Sequence, residues 1–302
     1  MRARILGSAA GGGFPQWNCG CANCVAVRRG DRRLRVRTQD SLAVFARDDA
    51  AVVCNASPDI AQQLAATPSL YPKKPRGTPI AAVILTNGDL DHVLGLFSLR
   101  ESQPLAIYAT EAVRRGLVDG NAMCATLERF AGQVAWRRLE LDRDTAIADP
   151  AGQPTGIVAC AFAVPGKLPV HLARTRSPSA EDNIGLSLRD ARSGQHVVYA
   201  PGTAYPPPKL GDGADVLVFD GTFWSSDELI KLGLGTARAE DMAHVPVGGP
   251  EGSLRLLAAA TAKKKVFTHI NNSNPILPLG SHERRLVGDA GWIIAEDGME
   301  LL

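Results

Sequence analysis

Residues Ala81-Ala82-Val83-Ile84-Leu85-Thr86-Asn87-Gly88-Asp89-Leu90-Asp91-His92-Val93 hold the sharpest change of pattern in this 302-residue chain. The apolar run Ala81–Leu85, bounded by polar residues, predicts a strand, and Val93–Leu99 predicts a helix. A polar cluster between a strand end and a helix start is where a rigid scaffold presents ligands. Asp91 and His92 are adjacent, so a loop can turn both side chains toward one ion. Capping of the helix by Asp89 or Asp91 is the competing reading. Two distant strand ends carry matching chemistry: Asp220 closes the predicted strand Val216–Phe219, and His269 closes Lys265–His269 ahead of Asn271, Asn272, Ser273 and Asn274. His244 precedes the helix that leads into the His269 strand.

Outward from this stretch, apolar β-rich segments recur at Ala3–Leu6, Ser41–Phe45, Ala51–Cys54 and Leu105–Tyr108, each bounded by Gly, Pro, Asn or Asp. Asp59–Ala66 reads as a helix, and Thr110–Gly116 as another with Thr110 in the capping position. The second half repeats the theme, with strands over Ile157–Val164, Ile184–Leu188 and His196–Tyr199 and a helix over Glu251–Thr261. Two β-rich halves with interleaved helices and no Ser/Gly linker predict two sheets packed face to face with helices outside, an α/β (αββα) sandwich in one domain over 1–302. The proline-containing stretches Tyr71–Pro79 and Tyr205–Gly213 read as loops.

Composition excludes more than it selects. The chain is 45% hydrophobic and 21% charged, with 33 basic against 31 acidic residues. A formal net charge of +2 gives no footprint for nucleic acid, and the one basic run, Arg28 to Arg37, reads as a solvated loop. No stretch of about 18 apolar residues occurs, so no spanning helix is expected. Three glycines at 11–13 interrupt the start before any signal-peptide core, and the expected location is the cytoplasm.

Six cysteines without a secretory signal point to thiols or metal ligands. Cys19, Cys21 and Cys24 fall within six residues, and thiolates this close on a Gly-containing turn can converge on one zinc ion. Such a closed site, in a Cys-rich loop at 14–30, is structural. Its fourth ligand must come from afar, and the segment from His269 to Asn274 supplies the candidates, Asn272 or His269. Cys54, Cys124 and Cys160 read as buried core thiols.

The Asp-His pair resembles the His-x-His-x-Asp-His motif of the metallo-β-lactamase superfamily, which is followed by a bridging Asp and a last His at a strand end. The matching window here holds Asn87, Asp89, Asp91 and His92, so the first two histidines are replaced. By position, the resemblance implies that Asp91, His92, Asp220 and His269 hold a reactive metal and that the other metal position is lost. His244 is similar to a supporting or proton-donating histidine of the phosphodiesterase branch. Four longer stretches, Leu6 to Cys19, Cys54 to Ile60, Tyr199 to Gly202 and His269 to Ile276, resemble the protein B family of pyrroloquinoline quinone (PQQ) biosynthesis.

Two imidazoles and two carboxylates with open positions suit ferrous iron, or another divalent metal, better than tight tetrahedral zinc. The resemblance implies an iron- and oxygen-dependent hydroxylation of the tyrosine ring of a Glu-Tyr-derived precursor, with His244 and Asp89 managing protons or positioning substrate. Rival readings are a carrier for PQQ or its precursor and a metal-dependent hydrolase. Expected partners are the precursor or PQQ, other PQQ-biosynthesis proteins and, for a homodimer, a second copy of the chain; nucleic acid and membrane are not expected. His171, His196 and His282 lack any motif and read as loop or surface residues.

Overall fold

The computed structural model describes residues 1–302. One sheet has six strands in the order β1-β2-β3-β4-β5-β6: Arg2–Gly7, Ser41–Phe45, Ala51–Cys54, Ile80–Ile84, Leu105–Ala109 and Val134–Arg138. The other has seven in the order β13-β12-β11-β10-β9-β8-β7. In chain order these are Asp144–Ala148, Pro154–Ala163, Ile184–Asp190, His196–Ala200, Val216–Asp220, Lys264–Thr268 and Trp292–Ile294. Pairing is parallel from β3 to β6 and from β10 to β13, and antiparallel elsewhere. The sandwich expected from the sequence is therefore the observed architecture.

Alternation along the strands explains the layers. In β4, Ala82 and Ile84 join Ile5, Leu42 and Val52 in a core shared with Leu186, Leu188, Tyr199 and Val218 of the opposite sheet. Val83 and Leu85 point the other way, against Ile60, Val113 and Leu117. Leu217, Phe219 and Phe267 likewise leave the outer face of the second sheet and meet Phe14, Cys24, Leu257 and Val287. With both faces covered, the parallel strands read as continuous apolar runs, which is why they were legible.

Seven α-helices complete the chain: α1 Ala22–Arg28, α2 Ile60–Ala65, α3 Leu90–Val93, α4 Glu111–Val118, α5 Glu228–Lys231, α6 Ser253–Leu256 and α7 His282–Asp289. Thr110 caps α4, its hydroxyl accepting from the Val113 N–H. The expected helix Val93–Leu99 is instead the short α3 followed by a 3₁₀ segment, Leu94–Leu99. Gly95 passes so close to Ser57 O that a Cβ would lie 2.0 Å from it. The expected helix Glu251–Thr261 shrinks to α6. The edge strands β6, β7 and β13 have no counterpart in the sequence pattern, because β6 and β7 carry exposed polar residues and β13 is only three residues long, and α7 has none because its run HERRLVGD is mostly polar.

The basic run is not wholly solvated. Arg37 is buried, donates to Ser8 Oγ at 2.8 Å and to the Ala295 carbonyl, and burial pushes its guanidinium down to about 10. Cys54 and Cys124 are buried as expected, whereas Cys160 is only half-buried. The loops Tyr71–Pro79 and Tyr205–Gly213 contain neither strand nor α-helix. No helix is long and apolar enough to cross a membrane.

Candidate metal centre

Where β4 ends, Thr86 and Asn87 close the strand and α3 begins, with Asp91 and His92 in its first turn. Asp89 stands at the helix start without a side-chain cap bond, so capping does not explain it. Asn87 Oδ1 accepts from the Asp89 N–H at 2.9 Å, which commits the carboxamide to the turn. Across the sandwich edge, β11 and β12 end side by side, with Asp220 paired to Thr268 just before His269. His269 sits at φ 54°, a left-handed conformation that a β-carbon disfavours and that aims its ring back over the strand ends.

Asp91, His92 and His269 offer ligand atoms that lie within 4.8 Å of one another. Asp91 Oδ2 is 3.2 Å from His269 Nε2 and 3.8 Å from His92 Nε2. A second group, Asp220, His244 and His269, meets the same limit. The four residues expected to share one ion thus fall, with His244 added, into two triads that have His269 in common. Asp220 is saturated by donors: Oδ1 accepts from the Thr222 N–H at 3.0 Å and hydroxyl at 2.6 Å, and Oδ2 from the Thr203 N–H at 3.0 Å. His244 Nδ1 lies 2.6 Å from the same Oδ2, and its ring stacks on His269 at 5.2 Å between centroids.

The electrostatics favour a cation. Burial opposes ionisation of Asp91, but the charge of His92 and the hydrogen bond with His269 outweigh it and hold the carboxyl well below the usual carboxylate range. Burial holds His92 below its ordinary value, the direction that favours the neutral form a metal requires. His269 is pulled down by burial and up more strongly by Asp91, to about 9. His92 Nε2 is buried without any hydrogen-bond partner, 3.8 Å from Asp91 Oδ2. An ion there would satisfy it, so the residues present fit a divalent metal.

These groups line a cavity of about 480 Å³, together with Asp89, Lys167, Phe223, Met242 and His244. His171 is exposed on a 3₁₀ turn and forms part of its rim, more than the bystander expected. His196 bonds Ser187 at 2.8 Å, and His282 opens α7 on the surface. Sequence reasoning missed Thr86 and Thr222, whose hydroxyls lie 3.1 Å from His92 Nδ1 and 2.9 Å from His269 Nδ1. Their positions beside the motif residues were the available signal.

The cysteine cluster lies on the outer face of the second sheet. Cys21 is the N-cap of α1, its sulfur 3.5 Å from the Cys24 N–H, and Cys19 Sγ is 3.4 Å from the Cys21 N–H. All three sulfurs lie within 4.8 Å of one another. Burial, reinforced by Cys21 and the charge of Cys19, pushes the Cys24 thiol up to about 12, a cost that a bound cation removes. The Asn272 amide nitrogen faces the sulfurs of Cys19, Cys21 and Cys24 at 3.0, 3.6 and 3.4 Å. Ligand atoms of a tetrahedral zinc site with sulfur and oxygen donors stand about 3.6 Å apart. A half-turn of this amide would place Oδ1 at the fourth corner. His269, the other candidate fourth ligand, does not reach the sulfurs, because its two ring nitrogens face Thr222 and Asp91.

Comparison with known proteins identifies the family. A profile described as the beta-lactamase superfamily domain matches residues 51–270. The coenzyme PQQ synthesis protein B of Ruegeria pomeroyi is 42% identical, with all of both chains covered. That of Methylobacterium sp. (strain 4-46) is 43% identical over 100% of this chain and 99% of the relative. Among solved structures, the Zn(2+)-bound PqqB of Methylobacterium extorquens superposes with a TM-score of 0.91 at 39% identity, covering 99% of each chain. A diphosphatase of the PhnP family shares the fold alone, at 20% identity and a TM-score of 0.67 over 100% of this chain and 97% of that one. With full-length matches on both sequence and structure, the chain belongs to the coenzyme PQQ synthesis protein B family of the β-lactamase superfamily.

Proposed function

We propose that this chain hydroxylates the tyrosine ring of a Glu-Tyr-derived precursor in PQQ biosynthesis at a single reactive metal, with one atom of molecular oxygen entering the ring, the other leaving as water, and two electrons supplied by an external reductant. The observation that carries the reading is the convergence of one carboxylate, Asp91, with the two Nε2 atoms of His92 and His269. Two imidazoles and one carboxylate on one face, with open positions opposite, suit ferrous iron. Iron bound there would supply the redox chemistry that activates oxygen. Asn87 is committed to its turn, which supports a mononuclear site.

The remaining residues bind, orient and move protons. Thr222 bridges Asp220 to the Nδ1 of His269, keeping Nε2 directed at the ion. His244, held through Nδ1 by Asp220, presents its Nε2 edge as a proton donor or acceptor for the phenol. Asp89 and the Lys167 ammonium, both lining the cavity, position the amino and carboxylate groups of the precursor. Cys19, Cys21, Cys24 and Asn272 hold a structural zinc, a reading supported by the zinc-bound relative.

A second reading, a two-metal hydrolase, draws on the two triads that share His269. Oxygen consumption and product mass should be measured with ferrous iron, a reductant and a Glu-Tyr-derived precursor. A product heavier by one oxygen atom, with its label derived from molecular oxygen, is expected. Tight binding of PQQ without turnover would replace the proposal with a carrier role, and oxygen-independent bond cleavage with the hydrolase.

A further inference from the structure

A chain of buried polar groups leads away from the reactive site into the middle of the sandwich, and the functions above do not use its far end. His92 Nδ1 lies 3.1 Å from Thr86 Oγ1. The Thr86 hydroxyl and its own N–H both donate to Asn55 Oδ1 at 3.0 Å. Asn55 Nδ2 donates to the Tyr199 hydroxyl at 3.2 Å, and that hydroxyl donates to Asp40 Oδ2. The Thr268 hydroxyl donates to the other oxygen of Asp40. Asp40, Asn55, Thr86, His92, Tyr199 and Thr268 are each at most 2% exposed, so water cannot substitute for a missing link.

The Thr86 N–H fixes the carboxamide of Asn55 with its oxygen toward Thr86 and its nitrogen toward Tyr199, and an ionised Asp40 orders the rest of the chain. An ionised Asp40 can only accept, so Tyr199 must give its single proton to it and can only accept from Asn55. The carboxamide then turns its nitrogen to Tyr199 and its oxygen to Thr86. Thr86 spends its one proton on that oxygen and has only lone pairs left for the imidazole. With the Thr86 hydroxyl donating to Asn55, His92 carries its proton on Nδ1, which leaves Nε2 unprotonated.

We propose that Asp40, Tyr199, Asn55 and Thr86 form a positioning chain that sets the tautomer and orientation of His92 and so tunes the affinity of the reactive site for its metal. Asn55 is built into a left-handed turn at φ 63°, which brings its carboxamide between β4 and β10. A carboxylate roughly four hydrogen bonds from the ion thereby acts on it through neutral side chains, a longer version of the carboxylate-to-histidine pairing common at metal sites. This inference rests on the proposed metal site, and the experiment separates the two.

Protein with zinc retained at the cysteines is titrated with cobalt(II), followed by its visible absorption. Thr86→Val and Tyr199→Phe are expected to weaken cobalt binding about 10- to 100-fold. Thr86→Ser, which keeps the hydroxyl, should restore it to within a few-fold. Ile157→Ala, a cavity in the same core on a strand position paired with Asp190 and not with the chain, controls for general loosening. Nitrogen-15 spectra of His92 should show protonated Nδ1 in the parent protein and a mixed tautomer in Thr86→Val. The inference is overturned if Tyr199→Phe binds cobalt as tightly as the parent, or loses no more affinity than Ile157→Ala. Absence of any cobalt site in the parent protein, beyond the cysteines, would instead refute the metal-site reading itself.

Discussion

The cysteine corner and the Asp91–His92–His269 corner are fed by one loop, His269 to Asn274, yet they are built for opposite purposes. At the first, three sulfurs and the amide of Asn272 enclose a point from four sides. At the second, two histidines and a carboxylate approach from one side and a cavity of about 480 Å³ occupies the other. A closed tetrahedron contributes to folding and leaves nothing free for substrate, whereas an open face leaves positions for chemistry. The loop is held for both tasks. The Ile270 N–H bonds Ser8 O at 2.9 Å, Asn23 Nδ2 bonds the Asn272 and Asn274 carbonyls at 3.1 Å, and Ser273 Oγ donates to the buried Glu228 at 2.5 Å.

The contrast breaks most visibly at the cysteines. Cys21→Ser removes a ligand and the cap of α1 together. It should release zinc and lower the melting temperature by about 10 °C, taking a loss of several kcal/mol at roughly 2 °C or more per kcal/mol. Unchanged zinc content by mass spectrometry, with unchanged melting, would refute the structural role. Next in size, His92→Ala and His269→Ala should each lose reactive metal and hydroxylated product while keeping the cysteine-bound zinc, since His269 faces away from the sulfurs. Loss of both metals from His269→Ala would show that the two corners are coupled through the loop.

His244→Ala sharpens the division within the open corner. It should retain reactive metal and bind precursor but turn over about 10²- to 10³-fold more slowly, the range of a lost proton-transfer group. Loss of the metal in that variant would make His244 a ligand and favour a second ion.

The smallest effect concerns Glu228 beneath the shared loop. Burial raises its carboxyl from the ordinary 4.5 to about 7. The folded chain then binds more protons than the unfolded one between about pH 4.5 and 7, so this group's contribution to stability falls as pH rises through that window and is level above it. Glu228→Gln should flatten that slope by on the order of 2–3 kcal/mol across the window. Denaturant titrations at pH 5 and pH 7.5 measure it, and an unchanged slope would count against the buried, protonated carboxyl.

How legible these sites were follows from how each is held. Asp91 and His92 are neighbours in sequence, and Asp220 and His269 follow the apolar runs Val216–Phe219 and Val266–Phe267 at strand ends, so local pattern located them. Thr86, Thr222 and Tyr199 are ordinary residues in the same segments. Their roles depend on hydrogen-bond distances to side chains 6, 47 and 159 residues away, and those distances exist only once the sheets have closed. The same reason separates Asn272 from His269 as a partner for the cysteines. Both lie in the right segment, and only the turn after β12 decides which one faces the sulfurs.

From its own residues the chain determined the buried parallel strands, the sandwich and the three-cysteine cluster, because apolar periodicity and short ligand spacing are properties of contiguous sequence. Tertiary structure decided the edge strands β6, β7 and β13, the grouping of the Asp and His residues into two triads around His269, and the placement of Asn272, not His269, beside the sulfurs. Each of these is a matter of which groups meet across the sandwich, where the free energy lies in long-range contacts and the local sequence is silent.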